Sequence, residues 1–268
     1  MTDIGQAFDR TRRAAIAVAA ASMFMVAAAR PSRAADPDAL WKIVHDRCVP
    51  DQQEHGDPKP CVLVDVSGGV GRGFAVLKDL NGVAQFLLIP TDRIIGIEDP
   101  ALLAPDAPNL FDAAWEARTF VEGQLHRALP RDAIGLVINS VQGRSQEQLH
   151  LHVDCLRADV REALRLRGGE VGPVWAPFPA PLVGRSYRVM HVSGERLGSS
   201  NPFKLLADGV PGARGGMGLH TLIVAGMEVE GRPGFVILDR EVTRETGDRG
   251  NGTELLDRAC NVASTVAP

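Results

Sequence analysis

The chain is short of concentrated positive charge. Its lysines are confined to Lys42, Lys59, Lys78 and Lys204, and 29 basic against 33 acidic residues leave a formal charge of −4 and a pI near 6.0. Recognition of nucleic-acid phosphates draws on a dense basic surface, so the charge balance argues against nucleic acid as a partner. No two cysteines have the short C-x2-4-C spacing of structural zinc sites, and no metal or cofactor is expected. Gly68, Gly69, Gly71 and Gly73 lack the G-x-G-x-x-G-plus-helix context of a dinucleotide fold. Nor does any apolar run reach the roughly 20 residues that cross a bilayer comfortably. What is present is an ordinary globular composition, 45% hydrophobic and 23% charged over 268 residues, enough for one or two domains.

The N-terminal end has its own pattern. Arg10, Arg12 and Arg13 precede the weakly apolar run Ala14–Ala29, which Arg30, Pro31 and Arg33 follow. A charged region and then an apolar one mark residues 1–35 as a signal peptide or a signal anchor, and both readings put residues 36–268 outside the cytoplasm. Small residues at Ala34 and Ala35 suit cleavage, while the alanine-rich run and its trailing arginine suit retention. The exported part carries Cys48, Cys61, Cys155 and Cys260, an even count that suggests two disulfides. Cys48 and Cys61 bracket Val49 to Pro60, a stretch too polar to pack by itself and read as a loop closed covalently. Cys155 is then left for Cys260.

Asn81-Gly82 between the β-rich runs Phe74–Lys78 and Ala84–Pro90 predicts a hairpin. Asn109 as N-cap, with Leu110, Phe111, Ala114, Trp115, Ala117, Val121 and Leu125 at helical spacing, predicts a core helix that ends before Pro130. Strands are expected at Ala133–Asn139, Gln148–Leu156, Ser186–Val192, Leu219–Val224 and Gly234–Asp239. A weak internal match sets Gly73–Leu77 and Phe86–Arg93 beside His220–Val224 and Phe235–Arg240, which suggests two half-units, 36–167 and 168–268.

The segment Ser145-Gln-Glu-Gln-Leu-His-Leu-His-Val-Asp154 carries the most chemistry. With a side-chain period of two, Gln148, His150, His152 and Asp154 share one face of a strand while Leu149, Leu151 and Val153 face the core. Two histidines so placed could be a structural pair, a metal site, or a nucleophile with its helper. The turn upstream holds Asn139, Gly143, Arg144 and Ser145, whose amides, hydroxyl and guanidinium suit a phosphate and shift the balance to phosphate chemistry. His45, His55, His126, His191 and His220 are scattered and read as surface or satisfied core residues.

A hairpin ending Phe86-Leu-Leu-Ile-Pro-x-x-Arg93-Ile94, a helix, a strand ending in Asn139 and the Ser145-x-x-Gln148-x-His150-x-His152 strand together resemble the histidine triad superfamily. More narrowly, Leu40-Trp41-Lys42-Ile43-Val44, Cys48-Val49-Pro50, Pro60-Cys61-Val62, Ile138-Asn139-Ser140, Gly143-Arg144-Ser145-Gln146 and Cys155-Leu156-Arg157-x-Asp159-Val160-Arg161 are similar to the CDP-diacylglycerol pyrophosphatase family, over about Leu40 to Cys260. The triad's first position departs from the pattern, since Gln148 stands where a histidine is usual.

The resemblance implies an α+β fold, a histidine-triad-like antiparallel sheet with a helix on one face. It implies hydrolysis of CDP-diacylglycerol to CMP and phosphatidate at the outer face of a bacterial inner membrane, by a monomeric or pseudo-dimeric protein that meets the membrane through its N-terminal segment. His150 would form a covalent nucleotidyl-histidine, His152 would bond the phosphate or leaving group, and the Gln148 amide oxygen would fix the His150 tautomer. Asn139, Arg144, Ser145 and Arg93 would hold phosphate oxygens. A register shifted by two, with His150, His152 and Asp154 as the triad and His152 as nucleophile, is the internal alternative. Transfer of CMP to an acceptor other than water, or nucleotide binding without catalysis, are the functional ones.

Overall fold

The period-two and turn signals translate into nine strands. The computed structural model describes residues 36–229, 231–242 and 247–265, and the arginine-flanked segment 1–35 lies outside them. Strands β1 (Leu63–Asp65), β2 (Phe74–Lys78), β3 (Phe86–Pro90), β4 (Ile134–Ile138), β5 (Leu151–Cys155), β6 (Ala176–Pro177), β7 (Arg188–Ser193), β8 (His220–Val229) and β9 (Arg232–Glu241) form one sheet. Its order is β1-β2-β3-β5-β4-β8-β9-β7-β6, and every neighbouring pair is antiparallel. With helices grouped on its faces, the class is α+β.

Read outward from the central β4–β8 pair, one side runs β4, β5, β3, β2 and ends on an additional β1, and the other runs β8, β9, β7, β6. In this order β2 and β3 stand opposite β6 and β7, whereas the internal sequence match set β2–β3 beside β8–β9. Hairpins built from the same few β-branched and aromatic residues look alike in sequence whatever their place in a sheet. Among the described residues no helix is long and apolar enough to cross a membrane.

A polar-looking stretch turns out to be helical. α1 (Ala39–Ile43), a π turn (Val44–Cys48) and α2 (Val49–His55) run on without a break, so the first half of the expected loop between Cys48 and Cys61 continues a helix. Pro50 explains the wider turn: its ring has no N–H to give and crowds the preceding turn, and a π turn makes room. Leu40, Val44, Cys48 and Val49 pack this helix onto Val64, Ala75, Leu77, Leu87 and Ile89. Gly56 at φ +68° ends it, donating its N–H to Gln52.

Helices cover both sheet faces, not one. α3 (Leu110–Glu116) starts at Asn109, whose Oδ1 accepts from the Asp112 amide at 3.3 Å, and α4 (Arg118–Leu125) follows after a break at Ala117. These two helices and α6 (Pro202–Gly209) bury Phe111, Trp115, Val121, Phe203 and Leu206 against Leu88, Leu136, Val153, Val224 and Ile237. On the opposite face, α5 (Ala158–Arg167) packs Val160 and Leu164 onto Val137, Ile223 and Leu238. That second face therefore has two covered regions, one under α1–α2 and one under α5, and β5 runs between them.

Both expected disulfides form, Cys48–Cys61 and Cys155–Cys260. A cross-link stabilises mainly by restricting the unfolded chain, and the restriction grows with the loop closed. Replacing Cys155 and Cys260 by alanine, sequence separation 105, should cost about 5 kcal/mol, and the same change at Cys48 and Cys61, separation 13, about 3 kcal/mol. Equilibrium urea unfolding of the two double variants measures both, with the larger loss expected for the longer loop.

Candidate active site

Strand β5 presents its chemistry through the pleat. Leu151 and Val153 point into the core shared with α3 and α4, so His152 and Asp154 emerge on the other face, in the interval between the covered regions. His150, just ahead of the strand, joins them, its ring centroid 4.9 Å from that of His152 in an edge-on contact. Both rings line a cavity of about 620 Å³. Its walls come from α1, the π turn, the β2–β3 hairpin, the loop after β4 and the C-terminal residues near Asn251 and Arg258.

The hydrogen-bond pattern fixes which nitrogen of each imidazole carries the proton. His150 Nδ1 lies 2.8 Å from the main-chain oxygen of Gln148. A carbonyl oxygen only accepts, so Nδ1 is the protonated nitrogen and Nε2 keeps its lone pair. For His152 the sequence of constraints is longer. The Gln85 side-chain nitrogen bonds the Asp79 carboxylate, which orients the amide, and the same NH2 group lies 3.2 Å from His152 Nδ1. Nδ1 of His152 therefore accepts, and its proton sits on Nε2. The two rings carry opposite tautomers: His150 has a basic Nε2, His152 an N–H at the same position.

Burial keeps both rings neutral. It lowers the pKa of His150 despite the hydrogen bond to Gln148 and the nearby Asp79, and lowers that of His152 well below the ordinary imidazole value, with His150 and Arg258 adding to the effect. Asp79 Oδ2 stands 3.9 Å from His152 Nδ1.

Not every expected residue meets the cavity. Asn139 and Ser145 line it, and Asn139 Oδ1 also accepts from the Gly252 amide at 2.8 Å, tying the C-terminal segment to the loop after β4. Gly143 permits that closeness: a Cβ there would lie 2.5 Å from the Gly250 carbonyl oxygen. The loop amides, however, turn inward, with Gly143 and Arg144 donating to the Ser140 carbonyl oxygen at 3.0 and 3.1 Å. The Gln148 side chain is fully buried and donates to the Pro90 and Asp92 carbonyl oxygens at 3.1 and 2.9 Å, so the contact to His150 comes from its backbone and not from its amide oxygen.

Arg144 and Arg93 are placed outside the cavity. Arg144 Nη1 holds both Glu98 oxygens at 2.6 and 2.7 Å, and Nη2 holds Glu147 at 3.0 Å. Arg93 binds Asp38 at 2.5 Å and lies over the Trp41 ring, locking α1 to the end of β3. The cations at the cavity are instead Arg47, Lys78 and Arg258. Among the described residues neither Arg47 nor Arg258 has an ion-pair partner, and Lys78 Nζ donates to the Asp79 and Gly82 carbonyl oxygens and lies over the Phe86 ring. Sequence reading passed over Asp79 and Gln85 because they flank a hairpin turn and read as turn chemistry. Arg47 and Arg258 had no local signal at all, since each is far in sequence from the histidines.

No three His, Cys, Asp or Glu side chains among the described residues converge to hold a metal ion. The arrangement places an imidazole with an unprotonated Nε2, a neighbouring imidazole N–H and three cations at one cavity, a set chemically suited to nucleophilic attack on an anionic group.

Beneath His152, Asp154 is fully buried, with Oδ1 accepting from the Cys155 amide at 2.8 Å. Burial, with Asp257 and Asp79 adding, pushes its carboxyl up to about 7. A carboxyl whose folded pKa is raised holds its proton more tightly in the native state. Its contribution is complete below the ordinary 3.8 and is lost as pH rises through about 7. Asp154→Asn has no proton to lose, so its urea midpoint relative to the parent should rise between pH 5 and pH 8. An unchanged difference would remove Asp154 as the group responsible.

The chain is similar to known proteins over most of its length. A family model described as CDP-diacylglycerol pyrophosphatase matches residues 35–264. A curated relative from Yersinia pestis named CDP-diacylglycerol pyrophosphatase is 40% identical over 230 residues, which cover 86% of this chain and 86% of the relative.

Proposed function

Because the chain belongs to the CDP-diacylglycerol pyrophosphatase family, we propose that it hydrolyses CDP-diacylglycerol to CMP and phosphatidate through a nucleotide carried on His150. The observation that supports His150 over His152 as nucleophile is the contact between His150 Nδ1 and the Gln148 carbonyl oxygen, which leaves the basic nitrogen on His150 Nε2.

In this reading His150 Nε2 attacks the phosphorus attached to cytidine. The bond from that phosphorus to the bridging oxygen breaks, and phosphatidate leaves with the bond's electron pair. His152, with its proton on Nε2, hydrogen-bonds that departing oxygen, while Gln85 and Asp79 hold the ring in the donating tautomer. The positive charge that forms on the His150 ring is met by the Gln148 carbonyl oxygen. Arg47, Lys78 and Arg258 offset the diphosphate charge, with Asn139 and Ser145 as hydrogen-bonding partners. Water then attacks the same phosphorus, the P–N bond breaks with its electron pair returning to His150 Nε2, and CMP is released as the water gives up one proton to the solvent.

The wider reading follows the same lines. The sheet is of histidine-triad type, with residues 36–167 and 168–268 as two pseudo-repeated halves, in which the order β4-β5-β3-β2 answers β8-β9-β7-β6. Residues 1–35 serve as a signal anchor, which keeps the catalytic part near a substrate whose acyl chains stay in the bilayer of the inner membrane.

Two measurements test the chemistry. During turnover of CDP-diacylglycerol, alkali-quenched full-length protein should carry a CMP adduct on His150 by mass spectrometry, absent from His150→Ala; an adduct on His152 would move the nucleophile by two residues. Added alcohols should leave CMP as the product, and alkyl esters of CMP would instead make the protein a transferase. The pH profile adds a second test. The nucleophile must be unprotonated and burial lowers its pKa, so kcat/KM should hold down through pH 6.5, the ordinary imidazole value, and fall only below it.

A further inference from the structure

We propose that the side of the cavity formed by α1 and the β2–β3 hairpin seats the diacylglycerol end of the substrate, with Leu80 as the residue at its rim that sets acyl-chain preference. The inference rests on the reading of the site as a CDP-diacylglycerol hydrolase and adds to it where the lipid lies.

The sheet order sorts the cavity by chemistry. β5, which bears the histidines, has β3 and then β2 on one side and β4 on the other. From the β4 side come Asn139 and Ser145, joined by Asn251 and Thr253 of the C-terminal segment, all hydrogen-bonding residues. From the β2–β3 side come Leu77 and Leu87, beside the polar Lys78, Asp79, Asn81 and Gln85, and above them α1 contributes Leu40 and Ile43, spaced three apart on one helix face. The large aliphatic side chains of the cavity thus all come from α1 and the β2–β3 hairpin, and none from the β4 side, with the imidazoles between the two.

Three features favour an acyl chain over a nucleobase on the aliphatic side. Among the described residues no Phe, Tyr or Trp lines the cavity, so on the aliphatic side there is no aromatic ring for a base to stack on; Trp41 is engaged with Arg93 and His45. Arg47 lies four residues after Ile43 on the same continuous helix and lines the same cavity, which puts a cation beside the apolar wall, as a phosphatidate phosphate next to its acyl chains requires. Finally, His152, the donor to the departing oxygen, is held by Gln85 and Asp79 of the β2–β3 hairpin, so the leaving lipid and the aliphatic wall lie on the same side of β5.

Leu80 sits where this wall meets solvent. It lines the cavity and is fully exposed, between Asp79 and Asn81. A cavity of about 620 Å³ cannot enclose two long acyl chains together with the nucleotide, so the chains must leave it, and Leu80 marks where they do.

The test compares CDP-dioctanoylglycerol with CDP-dibutanoylglycerol, which share the reacting head group and differ in chain methylenes. In the full-length protein kcat/KM should be higher for the dioctanoyl substrate. Leu80→Asp should lower the dioctanoyl-to-dibutanoyl ratio by about tenfold, the scale of losing a leucine-sized apolar contact, while Leu80→Met restores most of it. Turnover of the dibutanoyl substrate reports that the variant is folded. A ratio unchanged in Leu80→Asp, or equal losses on both substrates, would overturn the acyl-chain assignment alone. A parent that releases CMP from neither substrate would overturn the hydrolase reading and this inference with it.

Discussion

The strict alternation of β5 is the constraint on which the site depends. A strand in the middle of a sheet must put every second side chain on each face, and on β5 one face is filled by Leu151 and Val153 against α3 and α4. The other face is consequently handed to His152 and Asp154, whether or not anything covers them. The rest of the molecule closes over Asp154, which is fully buried, and leaves His152 part-exposed at the cavity. The α1–α2 helix stops on one side of β5 and α5 packs on the other, and the imidazoles occupy the interval. A register shift of one residue would bury the histidine among the phenylalanines of the core and expose its leucine neighbours.

Within that interval the two histidines differ through their partners rather than their own chemistry. One receives a backbone carbonyl and the other a side-chain amide, and this single difference gives them opposite proton positions. Gln148 shows how such a role can pass from side chain to main chain. Its amide is spent on the Pro90 and Asp92 carbonyls, which pins the residue so that its own carbonyl faces His150. An amide with two donors suits that task, since a neutral imidazole has only one.

Much of this was legible in the sequence, and the parts that were not share a cause. The histidine face, the Asn81-Gly82 hairpin, the Asn109 cap and both disulfides follow from local rules of pleat, turn and spacing. The connection expected over residues 79–83 runs on to Gln85, since β3 starts at Phe86 and not at Ala84, and this hairpin turn brings Asp79 and Gln85 to His152. Arg93 and Arg144 were credited with phosphates because they neighbour the motif, but proximity in sequence does not say which carboxylates stand across the fold. Asp38 and Glu98 claim them. Arg47 and Arg258 are the converse, remote in sequence and brought to the cavity by a helix whose polar surface disguised it and by a turn next to Cys260. Tertiary placement decides each of these cases, and no window of residues contains it.

The span of chain gathered at the cavity has a consequence for biogenesis. Its walls draw on residues from Ala39 to Arg258, and the turn that carries Arg258 is fastened to β5 through Cys155–Cys260. An N-terminal fragment still emerging during synthesis would hold both histidines and yet lack one wall and one cation of their cavity. The site is therefore completed last, after nearly the whole chain has been made and its thiols have been oxidised. Maturation and competence are coupled by the order of the sequence itself, so a chain retained in a reducing cytoplasm would carry the catalytic strand without the covalent fastening of its final wall.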